Sequence, residues 1–153
     1  MDMRLPEVCV DACLIVKLII HEPDSAQADA LFSWWQMHGT KLIVPVFCAV
    51  EIDSVLRRRA TLTALDERLT QAQADAAFEA AQAIPLKALE IPGQRRRGWE
   101  LANEFNLPTV YDSHYLALAE LRNCDFWTSD AKLYRLVKDR LPYVHLLSEF
   151  ACR

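Results

Sequence analysis

Short apolar segments alternate along this chain with longer segments in which apolar residues recur at helical spacing. The short segments predict strands over residues 8–10, 41–44, 87–91, 125–128 and 143–146. The longer segments predict helices directly after residue 10 and over residues 24–38, 45–60, 70–83, 94–105, 112–121 and 130–138. Strands that are separated by helices pair in parallel through right-handed crossovers, with helices on both faces of the sheet. The pattern therefore predicts an α/β fold of three layers.

Two positions refine the predicted helices. Pro45 is expected at the start of the third helix, because the first turn of a helix does not need the N–H that proline lacks. In the second helix, Leu31, Trp34 and Trp35 are expected on the side that faces the core. Tryptophans at this spacing are more typical of a core or a dimer interface than of a platform on which bases stack.

Length and composition are those of one globular domain that spans residues 1–153. Apolar residues make up 52% of the chain and charged residues 25%, with only three glycines, which is the balance of a folded protein. The longest apolar stretch, residues 8–20, contains Asp11 and Lys17, so no segment has the roughly 18 apolar residues of a membrane helix. Residues 1–7 lack the net positive charge of a secretory signal. We therefore expect a soluble, cytoplasmic protein with no membrane contact.

The charge and the cysteines narrow the possible functions. A net charge of −4 has the wrong sign for binding nucleic acid by bulk electrostatics, so any contact with phosphates must be local. Two basic runs, Arg57–Arg59 and Arg95–Arg97, have two interpretations, either as phosphate contacts or as solvated helix ends. The five cysteines include no Cys-x-x-Cys pair, which argues against both a disulfide framework and a structural zinc site. We expect them to be reduced and mostly in the core.

Acidic residues follow two of the predicted strands at one edge of the sheet. In an open parallel sheet the functional crevice lies beyond the carboxyl ends of the strands. Asp11 directly follows the first strand, and Asp130 follows the fourth with only Ser129 between them. Both are therefore expected at the same rim. Each also has a purely structural interpretation, because aspartate is a favoured N-cap residue.

Two further carboxylates are candidates for the same site. Glu51 lies in an apolar helical segment, where its neighbours three and four positions away include no basic residue: Phe47, Cys48, Ser54 and Val55. A buried carboxylate without a cation is unfavourable, so Glu51 is expected to have an external cation as its partner. Asp112 follows Thr109 by three residues, and these two could instead form an imperfect capping box.

A distinct chemistry follows if Asp11, Glu51, Asp112 and Asp130 converge. At about 5 Å, each pair of carboxylates repels by roughly 3 kcal/mol at an effective dielectric of about 20, so folding alone would not select the cluster. Mg²⁺ or Mn²⁺ removes this repulsion, since both ions prefer oxygen ligands. Such an ion activates a bound water and stabilises the charge that develops on a phosphodiester. We therefore predict metal-dependent hydrolysis of phosphodiester bonds, with the four acids as metal ligands and catalytic residues.

The order and spacing of these segments resemble those of PIN domains, in particular the VapC-type toxins. The resemblance spans about residues 8–146, and it is carried by the segments Val8–Cys13, Val44–Leu56, Thr109–Asp112, Leu116–Ala119 and Thr128–Asp130. What it implies is a three-layer α/β/α sandwich with a mainly parallel five-stranded sheet, an active site of the four acids, dependence on Mg²⁺ or Mn²⁺, and endonucleolytic cutting of RNA. It also implies a homodimer and a small antitoxin protein that covers the site.

One position departs from the family pattern. PIN domains of this type usually have Ser or Asn two residues after the first Asp, whereas this chain has Cys13. A weaker hydrogen bond from this position would lower the affinity for metal and leave the fold unchanged. Thr128 matches a hydroxyl that the family has near the last Asp, and the resemblance implies that it orients a ligand or a water.

Other functions fit the sequence less well. A phosphatase of the haloacid-dehalogenase type needs an acid two residues after the strand-end Asp, and the thiol of Cys13 cannot replace it. A degenerate PIN module would bind RNA or a partner protein without cutting; the presence of all four acids argues against it, and metal-dependent turnover would separate the two. The four histidines show no metal-ligand spacing, and His114 is expected on a helix surface and not as a base.

Overall fold

The computed structural model describes residues 6–61 and 64–151, and its centre is a five-stranded sheet. The strands are β1 (Glu7–Val10), β2 (Lys41–Pro45), β3 (Leu86–Leu89), β4 (Asp125–Thr128) and β5 (Val144–Leu146). They lie in the order β3-β2-β1-β4-β5, and every neighbouring pair is parallel. The predicted parallel five-stranded sheet is thus confirmed. Residues 1–5, on which part of the argument about export rests, and Cys152 lie outside the described residues.

The helices of the described residues cover both faces of the sheet. They are α1 (Ala12–Ile19), α2 (Ser25–Met37), α3 (Cys48–Thr61), α4 (Gln71–Gln82), α5 (Gln94–Glu104), α6 (Tyr111–Arg122) and α7 (Ala131–Val137), with 3₁₀ turns at Leu65–Glu67 and Leu147–Glu149. Right-handed crossovers place α1 to α4 on one face, because these helices connect β1 to β2 and β2 to β3. The chain then returns across β1, which places α5 to α7 on the other face. The α/β fold of three layers is therefore confirmed.

The centre of the core lies where α6 packs on the sheet. Helix α6 contacts β1, β2 and β4, and residues 115–119 are all fully buried. Five consecutive buried residues go more than once around a helix, so α6 is enclosed on all sides between the sheet and α5. This enclosure holds the first turn of α6, which carries Asp112, in a fixed position at the edge of the sheet.

Helices α5 and α6 approach each other closely at Gly98. A Cβ atom at this position would lie 2.9 Å from Cδ2 of His114, which is closer than packed carbon atoms approach. Any larger residue at position 98 would therefore displace the ring of His114 or move α5 away from it.

Some details of the sequence-based prediction were wrong. Pro45 does not begin a helix: it is the last residue of β2, paired in register with Leu89, and α3 begins at Cys48. Proline is tolerated there because a strand end needs no further ladder hydrogen bond. Trp34 is 39% exposed and lies against His38, whereas Trp35 is buried as expected. The third strand ends at Leu89 and not at residue 91.

The cysteines and the hydropathy agree with expectation. Cys9, Cys13, Cys48 and Cys124 are all free thiols, and Cys9 and Cys48 are buried. Among the helices of the described residues, none combines the length and the apolar character that crossing a bilayer requires.

Candidate active site

All four acids predicted from the sequence line one pocket of about 440 Å³: Asp11, Glu51, Asp112 and Asp130. The pocket lies beyond the carboxyl ends of β1 and β4. The connections that leave these two adjacent strands run to opposite faces of the sheet, which makes this crevice the switch point of the fold. Switch points are where open parallel sheets bind their ligands.

Each of the four acids lies at the N-terminal end of a different helix. Asp11 is the N-cap of α1 and Asp130 is the N-cap of α7, while Glu51 and Asp112 lie in the first turns of α3 and α6. The N-terminus of a helix carries a partial positive charge, which favours an anion nearby. Four helix ends thus offset part of the negative charge that the fold gathers in the pocket.

The structure shows which of the acids cap a helix. The carboxylate of Asp130 caps α7 through Oδ1, which accepts from the backbone N–H groups of Lys132 and Leu133 at 3.0 Å. Asp11 caps α1 more weakly, at 3.5 Å from the N–H of Cys13. The capping box suggested for Asp112 is wrong, because the N-cap of α6 is Val110 and no side chain caps this helix.

Thr128 links two of the acids. It is fully buried at the end of β4, and its hydroxyl donates to Oδ2 of Asp11 at 2.7 Å while accepting from the backbone N–H of Asp130 at 2.9 Å. The hydroxyl therefore fixes the distance between the first and the last acid. The resemblance predicted that Thr128 orients a ligand or a water. In the structure it instead bonds to the carboxylate of Asp11 and to the backbone of Asp130.

Tyr115 supports Glu51 and was not predicted from the sequence. Its side chain is fully buried, and its hydroxyl donates to Oε1 of Glu51 at 2.8 Å. One signal was available: a tyrosine on a helix as apolar as α6 needs an acceptor for its hydroxyl inside the protein. The identity of that acceptor depends on how α3 and α6 cross.

Cys13 hydrogen-bonds mainly with Ser129. Its Sγ accepts from Oγ of Ser129 at 3.1 Å and lies 3.6 Å from Oγ1 of Thr128. Burial, together with the nearby charge of Asp11, raises the pKa of the Cys13 thiol well above its usual range. The thiol therefore stays protonated and acts as a weak hydrogen-bonding group beside Asp11, not as a nucleophile.

Burial and the charges of neighbouring acids raise the pKa values of three carboxylates in the pocket, those of Asp11, Glu51 and Asp112. Burial raises the pKa of Asp11 and, against the lowering effect of the hydrogen bond from Tyr115, that of Glu51. The pKa of Asp112 rises from 3.8 to about 6, first through burial and then through the charges of Asp11 and Asp130. The repulsion among these carboxylates is a cost that a bound cation would remove.

The acids lack a ready-made metal site in their present positions. Within the described ranges, no three Asp, Glu, His or Cys side chains are grouped as ligands around one point. The four acids nevertheless fit Mg²⁺ or Mn²⁺, because these ions prefer carboxylate oxygens and retain several waters when they bind. Such an ion would be held partly through water, or by carboxylates that turn toward it.

The basic runs and His114 have different environments. Arg58 lines the pocket, whereas Arg97 hydrogen-bonds to Oε1 of Glu120 at 3.0 Å. His114 lies on α6, as expected, and is half-buried against Gly98 and the ring of Phe47. Burial lowers the pKa of His114.

Fold and site together define a three-layer α/β protein with an acidic pocket at the switch point of a parallel sheet. The sequence model of the PIN domain family matches residues 8–139, and the chain belongs to this family. PIN domains are generally nucleases, so membership indicates a hydrolase fold that acts on nucleic acid. No curated protein matches the sequence closely enough to name a relative.

Proposed function

We propose that this protein is a divalent-metal-dependent endoribonuclease and the toxin of a toxin–antitoxin pair, with Asp11, Glu51, Asp112 and Asp130 as its metal ligands and catalytic residues. The observation that carries the proposal is the convergence of these four acids on one pocket at the N-termini of four helices. A pocket with this much negative charge needs a cation before it can accept a phosphodiester.

The metal-binding groups of the site are the four carboxylates. A divalent ion bound there supplies a water of lowered pKa and offsets the charge on the scissile phosphate. The chain's own contribution is to orient the acids. Thr128 holds Asp11 through Oδ2, and Tyr115 holds Glu51 through Oε1. Asp130 engages only Oδ1 in capping α7, so its Oδ2 is available to a ligand.

The helix ends contribute to substrate binding. The N-termini of α1, α3, α6 and α7 direct their positive partial charges to the pocket, and such ends bind phosphate groups well. The net charge of −4 makes this local effect necessary. Together with a cation, the helix ends give one small region of an acidic protein the potential to attract a nucleic acid.

The toxin role and the partners rest on the resemblance to VapC-type toxins, which supports RNA as the substrate, a cytoplasmic location, a homodimer and a covering antitoxin. Exposed apolar side chains at the pocket support a protein partner there, since Val50 is 66% exposed and Tyr111 is 53% exposed. Large exposed apolar groups at a site mouth are typical of surfaces that another molecule covers.

The proposal is tested by incubating purified protein with a mixed-sequence single-stranded RNA in the presence of Mg²⁺, of Mn²⁺ or of chelator. An Asp112→Asn variant is prepared in the same way, so that contaminating ribonuclease appears equally in both. Asp53→Asn is the matched control, because Asp53 is exposed on α3 outside the pocket. We expect cutting that needs metal, is lost in Asp112→Asn and persists in Asp53→Asn. Equal cutting by wild type and Asp112→Asn would overturn the proposal.

A second candidate is a PIN module that binds RNA or a protein without cutting. The specific observation in its favour is that the acids of the described residues are not grouped as metal ligands. Calorimetric titration with Mg²⁺ separates the two candidates. Binding of the ion to wild type that is weakened in Asp112→Asn favours the nuclease, and absence of binding favours the module.

A further inference from the structure

Arg58 is the one basic residue among the described residues that line the acidic pocket. Arg58 shares one face of α3 with Glu51, because residues 51, 54, 55 and 58 follow each other at steps of three and four. Seven residues of helix separate Arg58 from Glu51, which is about 10 Å along the axis. Arg58 therefore lines the pocket two helical turns away from Glu51 along α3.

Arg58 lies in the last turn of α3, where the helix end favours a cation, but it forms no ion pair with another described residue. It is exposed, and no carboxylate of the described segments lies within ion-pair distance of its guanidinium. Its neighbour Arg59, by contrast, donates from Nε to the backbone carbonyl of Glu67 at 3.0 Å. Arg57 does not line the pocket. Only one arginine of this basic run is thus both unpaired and directed to the site.

An aromatic group flanks the acids as well. Tyr111, next to Asp112 at the start of α6, lines the pocket with 53% of its surface exposed. Its ring lies edge to face with that of Phe47 at 5.5 Å between centroids, and Phe47 in turn contacts the buried ring of Tyr115 at 5.8 Å. The chain of rings fixes Tyr111 from one side while leaving half of it open to a ligand.

We propose that Arg58 and Tyr111 form a subsite for single-stranded RNA, in which the guanidinium binds a backbone phosphate beside the scissile one and the tyrosine ring stacks on an unpaired base. This inference rests on the proposed nuclease function and names the class of substrate. A cation that follows the backbone and an aromatic ring that accepts a base are the two parts of single-strand binding sites. In an A-form duplex the bases are stacked on each other and cannot reach such a ring.

The test measures binding and turnover separately. Binding is followed by the fluorescence anisotropy of a labelled 12-nucleotide single-stranded RNA, with every variant in the Asp112→Asn background so that the probe is not consumed. The same strand annealed to its complement is the second probe. The values of kcat and KM are measured with Mg²⁺ in the background that retains Asp112. Thermal unfolding of each variant shows whether it is folded.

Arg58→Ala is expected to raise Kd for the single strand about tenfold, and to reduce the slope of log K against log salt by about 0.7, the value for one phosphate contact. Arg58→Lys keeps the slope. Arg57→Ala removes the same charge one residue away and is the matched control. We expect it to leave both Kd and the salt slope unchanged. In turnover, Arg58→Ala raises KM more than it lowers kcat, and Mg²⁺ affinity stays the same.

Tyr111→Ala is expected to raise Kd for the single strand by about tenfold, the loss of one stacked base, whereas Tyr111→Phe keeps the ring and binds normally. The duplex probe binds more weakly, and Tyr111→Ala does not affect it. Equal effects of Arg58→Ala and Arg57→Ala, or equal binding of duplex and single strand, would overturn the subsite. If wild type cuts RNA while Arg58→Ala and Tyr111→Ala bind it normally, the subsite is wrong and the nuclease proposal stands. If both variants weaken binding but wild type never cuts RNA, the nuclease proposal is wrong and the subsite stands.

Discussion

The substitution Asp112→Asn has a predicted effect on stability that is independent of catalysis. The carboxylate of Asp112 is partly buried, forms no hydrogen bond within the described residues, and is repelled by Asp11 and Asp130. Asparagine has nearly the same shape and no charge. In the absence of metal, the variant should therefore be more stable than wild type wherever Asp112 is ionised.

The magnitude and the sign follow from the pKa of Asp112. The pKa is 3.8 in the unfolded chain and about 6 in the folded protein, so between these values the folded state holds a proton that the unfolded state has released. Stability therefore falls as pH rises through this window. With 1.36 kcal/mol for each pKa unit, ionised Asp112 destabilises the fold by at most about 3 kcal/mol at pH 8 and by about 1 kcal/mol at pH 4.5.

The assay is urea unfolding followed by circular dichroism, in chelator, at pH 4.5 and pH 8. We expect Asp112→Asn to raise the free energy of unfolding by about 1–3 kcal/mol at pH 8, and by less at pH 4.5. In thermal unfolding of a chain of this size, each kcal/mol corresponds to a shift in Tm of about 2–4 °C. Asp53→Asn is the control, with no gain at either pH. If Asp112→Asn were less stable than wild type at pH 8, or gained the same stability at pH 4.5 and pH 8, the carboxylate of Asp112 would not be destabilised by its neighbours.

The remaining predictions concern residues that orient the acids. Thr128→Val should lower the free energy of unfolding in urea by about 1–3 kcal/mol, because it leaves the buried Oδ2 of Asp11 and the part-buried backbone N–H of Asp130 without their partner. An equally stable variant would contradict this role. Tyr115→Phe removes the hydrogen bond that lowers the pKa of Glu51, so the acid limb of the pH profile of kcat/KM should move to higher pH. An unchanged profile would count against a role of Tyr115 in setting the pKa of Glu51. Cys13→Ser should tighten Mg²⁺ binding, by up to roughly tenfold in calorimetry, because a hydroxyl bonds more strongly than a thiol beside Asp11, and weaker binding would disprove the idea.

The fold was predictable because the alternation of strands and helices allows few arrangements of the chain. Apolar segments of three to five residues between helical segments favour parallel pairing, and right-handed crossovers then decide the face of each helix. The errors arise where a pattern allows two outcomes. Pro45 fits a helix start and a strand end equally well, and only the pairing of β2 with β3 decides between them. Trp34 and Trp35 both flank Leu31 on a helical wheel, and the width of the buried face decides which one is covered.

The site was predictable to the extent that it depends on strand ends and on local spacing. The position of Asp11 and Asp130 follows from the direction of the strands, and that of Glu51 from its lack of basic neighbours. The contact of Glu51 with Tyr115 joins residues 64 positions apart, and it depends on how two helices cross. A pattern read along one chain contains no information about that crossing. The same is true of the approach of Arg58 to the pocket, which depends on the rotation of α3 about its axis.

Capping by Asp11 and Asp130 is compatible with the proposed role of these acids as metal ligands. A helix that begins at the end of a strand needs a side chain to accept its first N–H groups, and aspartate does this with one oxygen while its charge is favoured by the helix end. In Asp130 both capping bonds go to Oδ1, so the cap holds the carboxylate still and leaves Oδ2 for a ligand. Asp11 is held through both oxygens, because Oδ1 accepts from the backbone N–H of Cys13 and Oδ2 accepts from the hydroxyl of Thr128. Two of the four mutually repelling carboxylates, those of Asp11 and Asp130, are thus held in place by caps, Glu51 is held by Tyr115, and Asp112 is held by the enclosure of α6.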